Sequence, residues 1–380
     1  MSFLNYTEDH QQFRQRLQKF CQEEIVPYAD QWEADHMVPR DKWKQMGEAG
    51  FLCTAVAKEY GGLGGDFLYS VIVAEELMKT ESMGLMAPLH SDIIVPYIST
   101  FGTAEIKQKY LPHCVSGEYI AAVAMTEPGA GSDVASMECT AVEDGDEVVL
   151  NGSKTFISNG INCGFVIVAV KDPAIEKAHN AISLYIVDSG TVGFERGRQL
   201  EKMGMYSQDT AELFFSDCRI PKSNLLGEKN NGFIQLMQKL QQERLVVTIQ
   251  AMAGIEYVVE KTVALCKQVD SDGTSFSQQQ ATQFALVEML AEAKVLRAFV
   301  DQLIVGHMQG ENVVTETSIA KYKVSEAYNQ IINQSLNLLG EFGSSERNRL
   351  ARIARDAKVQ TIYAGTTEVM KTIVAKSIGL

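Results

Sequence analysis

The chain has 380 residues, 46% hydrophobic and 22% charged, enough for a large core shared among two or three domains. A net charge of −14 argues against a nucleic-acid partner, which needs a basic face. Seven scattered cysteines without a Cys-x-x-Cys pair argue against a disulfide framework or a metal site, and no apolar run nears the ~20 residues of a bilayer span.

The polar start Met1–Asp9 carries no signal-peptide pattern, so a cytoplasmic protein is expected. Residues 1–120 read as a helical domain: Phe13, Leu17, Phe20 and Ile25 recur at spacings that keep them near one helix face. The cluster Gly61–Gly65 separates one helix from the next. Over 121–230 the pattern changes to strands, with β-prone runs at 148–150, 165–170, 182–187 and 213–215. Asp144-Gly145 and Asn159-Gly160 supply turns between them. From 231 to 380 long helical periodicity returns.

The helix predicted after Gly232 carries apolar residues at Phe233, Leu236, Met237, Leu240, Val247 and Met252. That spacing sets Glu243 on the stripe of Leu240 and Val247, facing inward. Desolvation raises the pKa of such a carboxylate, which suits a base acting on a carbon-bound proton near neutral pH. A structural ion pair is the alternative reading of the same position. His90 reads as a packing histidine without a catalytic role.

Several motifs occur in order: Thr126-Glu127-Pro128-Gly129-Ala130-Gly131-Ser132-Asp133, Asn151–Gly160, Asp209–Phe215 with Arg219-Ile220-Pro221, Arg355–Lys358, and Gln360–Met370. The Gly129-Ala130-Gly131 element is not a dinucleotide fingerprint, because its sixth position is Val134. Taken together, over nearly the whole chain, these motifs resemble the acyl-CoA dehydrogenases. Most members carry a glutamate before the Gly-Thr of the last motif. This chain has Ala364 there and Gln242-Glu243-Arg244-Leu245 upstream, an arrangement similar to the long-chain and isovaleryl branch.

The resemblance implies an α+β, mainly α fold: an N-terminal helical domain, a β-barrel-like middle domain and a C-terminal four-helix bundle. It implies FAD as cofactor and α,β-dehydrogenation of an acyl thioester. Glu243 would remove the α-proton while the β-hydride passes to the flavin. The Ala364 backbone N–H would help polarise the acyl carbonyl. Cofactor contacts would come from Met125, Thr126, Gly131, Ser132, Phe156, Ser158, Gln280, Asn337, Gly340, Thr366 and Glu368. Ser132, Arg244, Tyr363 and Gly365 would contact substrate; for Arg244 a surface or intersubunit ion pair is the other reading. Tyr363 favours a straight acyl chain, and the segment Leu85–Asp92 resembles the pocket floor.

An electron-transferring flavoprotein would reoxidise the flavin, and the assembly would be a homodimer or homotetramer, with a heteromer also open. Where relatives hold the flavin diphosphate with arginine, phenylalanine, glutamine and glycine, this chain has Val269, Asp272, Asn337 and Glu341. Those departures keep two alternatives in view. One is a dehydrogenase acting on a thioester of acyl-carrier protein in biosynthesis; the other is a non-catalytic, flavin-deficient subunit.

Overall fold

The computed structural model describes residues 3–269, 273–343, 345 and 349–380. Six α-helices come first: α1 (Glu8–Phe20), α2 (Ala29–Asp35), α3 (Arg40–Glu48), α4 (Phe67–Met78), α5 (Val95–Phe101) and α6 (Ala104–Val115). Thr7 caps α1 and Asp66 caps α4, each side chain accepting a backbone N–H of the first turn. The glycine cluster therefore ends where Asp66 starts α4. Helix α4 is apolar on nearly all sides because it separates two cores. Ile72, Val73 and Leu77 face the first, and Leu68, Val71, Ala74 and Met78 face the second.

Seven strands follow: β1 (Ala121–Ala124), β2 (Thr140–Asp144), β3 (Glu147–Ser158), β4 (Phe165–Lys171), β5 (Ile182–Asp188), β6 (Phe194–Gln199) and β7 (Thr210–Pro221). They form one curled sheet in the order β1-β4-β2-β3-β7-β6, with β5 on β4. The four predicted β-prone runs are β3, β4, β5 and β7. Strand β1 enters parallel to β4, in the register Ala121↔Phe165, and this brings the loop after Ala124 to the edge of the sheet beside the helices. Between β3 and β7 the register slips twice, the second time between Lys154 and Ile157. That bulge carries Phe156 in a left-handed conformation (φ 57°) and leaves its ring 69% exposed.

The helices then resume with α7 (Gly232–Cys266), α8 (Gln280–Met308), α9 (Val314–Gly343, interrupted at Gly340), α10 (Leu350–Ala357) and α11 (Thr367–Ser377). Helices α7, α8 and α9 pack on one another, and α10 and α11 lie against α9. The first half of α7 departs from the predicted stripe: Met237 is 40% exposed, whereas Gln235 is buried because its Nε2 donates to the Leu226 carbonyl at 3.1 Å. Among the described residues no helix is long and apolar enough to cross a membrane.

Candidate active site

A cleft of about 130 Å³ opens where α7, the sheet and the segment before α11 meet. Its apolar wall is Met86, Leu89, Ile93, Ile94, Val123 and Val247. Leu89–Ile94 form a π-helical turn, a widened geometry that often marks functional sites. The Gln242 Nε2 donates to the Asp92 carbonyl of that turn at 2.7 Å, and so fixes α7 against it one residue before Glu243.

Glu243 lines the cleft and is only 8% exposed. Its Oε2 is buried without a hydrogen-bond partner. Burial raises its pKa to about 7, against the opposing pull of Arg244 and Lys321. A lone, desolvated carboxylate with a free oxygen is poorly explained as a structural ion pair: among the described residues no cation lies within ion-pair distance of it.

Thr126, Phe156 and Ser158 line the facing side with Met125. Two buried networks hold them. Lys154 is fully buried; its Nζ donates to Glu127 Oε1 at 2.7 Å and to the Met125 carbonyl at 3.1 Å. Glu127 in turn accepts the backbone N–H groups of Glu138 and Cys139. Thr155 N–H donates to the Thr126 carbonyl at 2.9 Å, so loop and bulge are tied twice. Below Ser158, Asn159 donates its Nδ2 to the Ala121 carbonyl and accepts from Gln208 Nε2 at 3.0 Å. Asp209 accepts the amides of Ile161 and Asn162.

The last wall is the turn before α11, from Tyr363 and Ala364. Ala364 and Gly365 are both left-handed, with φ of 53° and 93°. The Tyr363 hydroxyl is buried without a partner. Thr366 caps α11, its Oγ1 accepting the Val369 amide, and Glu368 sits exposed in the first turn.

The structure thus gathers Glu243, Met125, Thr126, Phe156, Ser158, Tyr363 and Ala364 around one space. Arg244 is buried next to Glu243 with its Nε unpartnered, which rules out the surface ion pair. Gly131 and Ser132 are exposed on the loop and Gly365 and Thr366 adjoin the cleft, none of them in its lining. Gln280 and Gly340 are exposed on α8 and α9, and Asn337 borders a separate open hollow with Glu288 and Gln334. Val269 is 64% exposed and Glu341 is exposed, while Asp272 lies outside the described residues. His90 is fully buried and neutral in function: its Nδ1 accepts the Ala121 amide, Nε2 faces the Cys114 carbonyl, and burial lowers its pKa to about 4.

Sequence reasoning missed the Lys154–Glu127 pair and Lys321; Lys154 stands between Ser153 and Thr155, which give no sign of its burial. The cleft suits the flat ring of a flavin. An exposed aromatic held on a strained bulge shares a wall with two hydroxyls, and a carboxylate with an unpartnered oxygen lines the same space. Seven buried cysteines contribute nothing to it, and among the described residues no cluster could hold a metal.

Helical, curled-sheet and helical segments around such a cleft define the class, a three-part oxidoreductase fold with the site at the junction. The chain belongs to the acyl-CoA dehydrogenase family: the N-terminal, middle and C-terminal domain profiles of that family match residues 7–118, 122–218 and 230–379. It is 40% identical over 374 residues to the mitochondrial long-chain specific acyl-CoA dehydrogenase of Rattus norvegicus, covering 98% of this chain and 87% of the relative. To the mitochondrial isovaleryl-CoA dehydrogenase of Pongo abelii it is 32% identical, over 98% of this chain and 89% of that protein. Its fold superposes on the acyl-CoA dehydrogenase of Geobacillus kaustophilus with a TM-score of 0.97 at 48% identity, covering both chains fully.

Proposed function

We infer that the protein catalyses flavin-dependent α,β-dehydrogenation of an acyl-CoA thioester, with Glu243 as the base. The observation that carries this reading is the Glu243 carboxylate, buried in the cleft wall with Oε2 unpartnered and a pKa of about 7. A base in that state takes a proton at neutral pH yet gains little from solvation by keeping its charge. The Ala364 backbone N–H serves as donor to the acyl carbonyl, acidifying the α-position; an alanine suffices because only its main chain acts.

Thr126, Ser158 and Phe156, which line the cleft together, would hold the FAD ring. When bound, FAD supplies the acceptor for the β-hydride. Leu89, Ile93, Ile94 and Val247 take the acyl chain and keep water from the carboxylate. Ser132 and Arg244 belong to the substrate's approach, and Tyr363 in the cleft wall supports a straight-chain, long-chain substrate. Gln280, Asn337, Gly340, Thr366 and Glu368 serve the adenosine arm, with a second copy of the chain supplying part of that set. An electron-transferring flavoprotein is the fitting electron acceptor.

The test is anaerobic addition of a long-chain acyl-CoA to the FAD-loaded protein. Bleaching of the visible flavin band supports the reading. A band that persists with every chain length offered overturns it.

A further inference from the structure

Lys321 lies on α9 at 1% exposure, among Thr317, Ala320 and Val324. A buried ammonium is costly unless a partner compensates it. Its Nζ donates to the Gly365 carbonyl at 2.6 Å, across the boundary between α9 and the turn before α11. That turn contains the left-handed pair Ala364 and Gly365. Ala364 is the unusual member, since a left-handed alanine costs about 1 kcal/mol. Such a conformation persists only where its surroundings over-determine it. The Lys321 hydrogen bond restrains this turn from α9.

Lys321 also stands within electrostatic range of Glu243 and is one of the two cations opposing its burial. The groups facing Glu243 are Arg244 on its own helix, Lys321 on α9 and the Tyr97 side chain on α5. Those facing Lys321 are Glu243, Arg244 and, from the first turn of α11, Glu368. Arg244 and Lys321 thus repel each other across the carboxylate, and the Gly365 carbonyl is what keeps the lysine in place.

We propose that Lys321 is a positioning residue of the reaction: it clamps the Ala364–Gly365 turn through the Gly365 carbonyl and holds a positive charge beside Glu243. The inference rests on the assignment of Glu243 as base. It joins the two halves of the proposed chemistry, because one ammonium sets both the N–H that polarises the carbonyl and the charge state of the base. Removing the charge leaves Glu243 with Arg244 alone, and its pKa rises.

The experiment follows the pH dependence of flavin reduction in single turnovers by saturating acyl-CoA, using FAD-loaded wild type, Lys321→Arg, Lys321→Gln and Lys321→Met. The methionine variant is expected to move the midpoint upward by about one pH unit and so to slow reduction at pH 7 by about fivefold. Arginine, which keeps charge and donor, is expected to hold the wild-type midpoint. Glutamine separates charge from hydrogen bonding should methionine fail to fold, and is expected to move the midpoint as methionine does. In the methionine background, Ala364→Gly relieves the turn and is expected to raise thermal stability without restoring the midpoint. Midpoints within about 0.3 units in all folded variants overturn the proposal. Glu243→Gln, run in parallel, keeps the two claims apart: undiminished reduction in that variant removes the base itself, whatever Lys321 does.

Discussion

Lys154 and Glu127 form a buried ion pair, Nζ to Oε1 at 2.7 Å, that fastens the loop after β1 to the bulge of β3. The pair presents nothing to the cleft itself. It sets the spacing of Thr126 from Phe156 and Ser158 along the cleft wall, because both segments hang from it. Breaking a buried pair by deleting one partner strands the other charge, at about 3–5 kcal/mol. Lys154→Met is therefore expected to lower stability to urea by that order and to release FAD. Adding Glu127→Gln should recover part of the loss. A single variant within about 1 kcal/mol of wild type would show that the pair is not what holds the loop.

Phe156 illustrates the opposite balance. Its ring is 69% exposed and its backbone left-handed, so the folded apo-protein gains little from it. Phe156→Gly is expected to leave stability unchanged or raise it by about 1 kcal/mol, since glycine has no steric cost there. The same change should weaken FAD binding by about tenfold through lost ring contact. Equal FAD retention in both proteins would separate this ring from the flavin.

Asp92 supplies a pH-dependent prediction. It is buried in the π-turn, accepts a hydrogen bond from Ser70 Oγ at 2.6 Å, and burial raises its pKa to about 7 against that bond. A folded-state pKa above the unfolded value means that the protonated form is the stable one. Its contribution is complete below the unfolded carboxylate range and is lost as pH climbs through about 7. Asp92→Asn keeps an acceptor for Ser70 without the ionisation. The variant is expected to match wild type near pH 4 and exceed it by about 2–4 kcal/mol at pH 8, read from urea unfolding. A constant difference across that range would contradict the argument.

Val269 and Glu341 are both exposed, and the resemblance to the family implies that they stand where relatives hold the flavin diphosphate. Like charges at short range oppose binding, whereas an arginine adds charge-assisted hydrogen bonds. The double change Val269→Arg with Glu341→Gly is expected to tighten FAD by about tenfold in equilibrium dialysis. Unaltered affinity would mean that other residues already satisfy the diphosphate.

Much of this was legible in the sequence. Periodicity of about 3.6 and then 2 separated the helical, strand and helical regions, and the apolar stripe around Leu240 and Val247 turned Glu243 inward. The signal failed where composition hides geometry. Strand β1 is Ala-Ala-Val-Ala, too small to read as β, and β6 is Phe-Glu-Arg-Gly-Arg-Gln, half solvated and without alternation. Gln235 took the place expected of Met237 because one carbonyl, at Leu226, needed a donor. Nothing local marks Phe156 as exposed; the register slip in β3 turns it out. The Lys321 contact spans 44 residues and depends on how α9 meets the turn, which no local pattern encodes.

Glu243 is the residue on which the proposed chemistry depends. The most direct measurement is stopped-flow, anaerobic flavin reduction by a long-chain acyl-CoA, comparing FAD-loaded wild type with Glu243→Gln from pH 5 to pH 9. Wild-type reduction is predicted to rise with a midpoint near pH 7, and the glutamine variant to lose about three orders of magnitude while still binding the thioester. Reduction by the variant within about tenfold of wild type, or a wild-type rate flat across that range, would contradict the assignment.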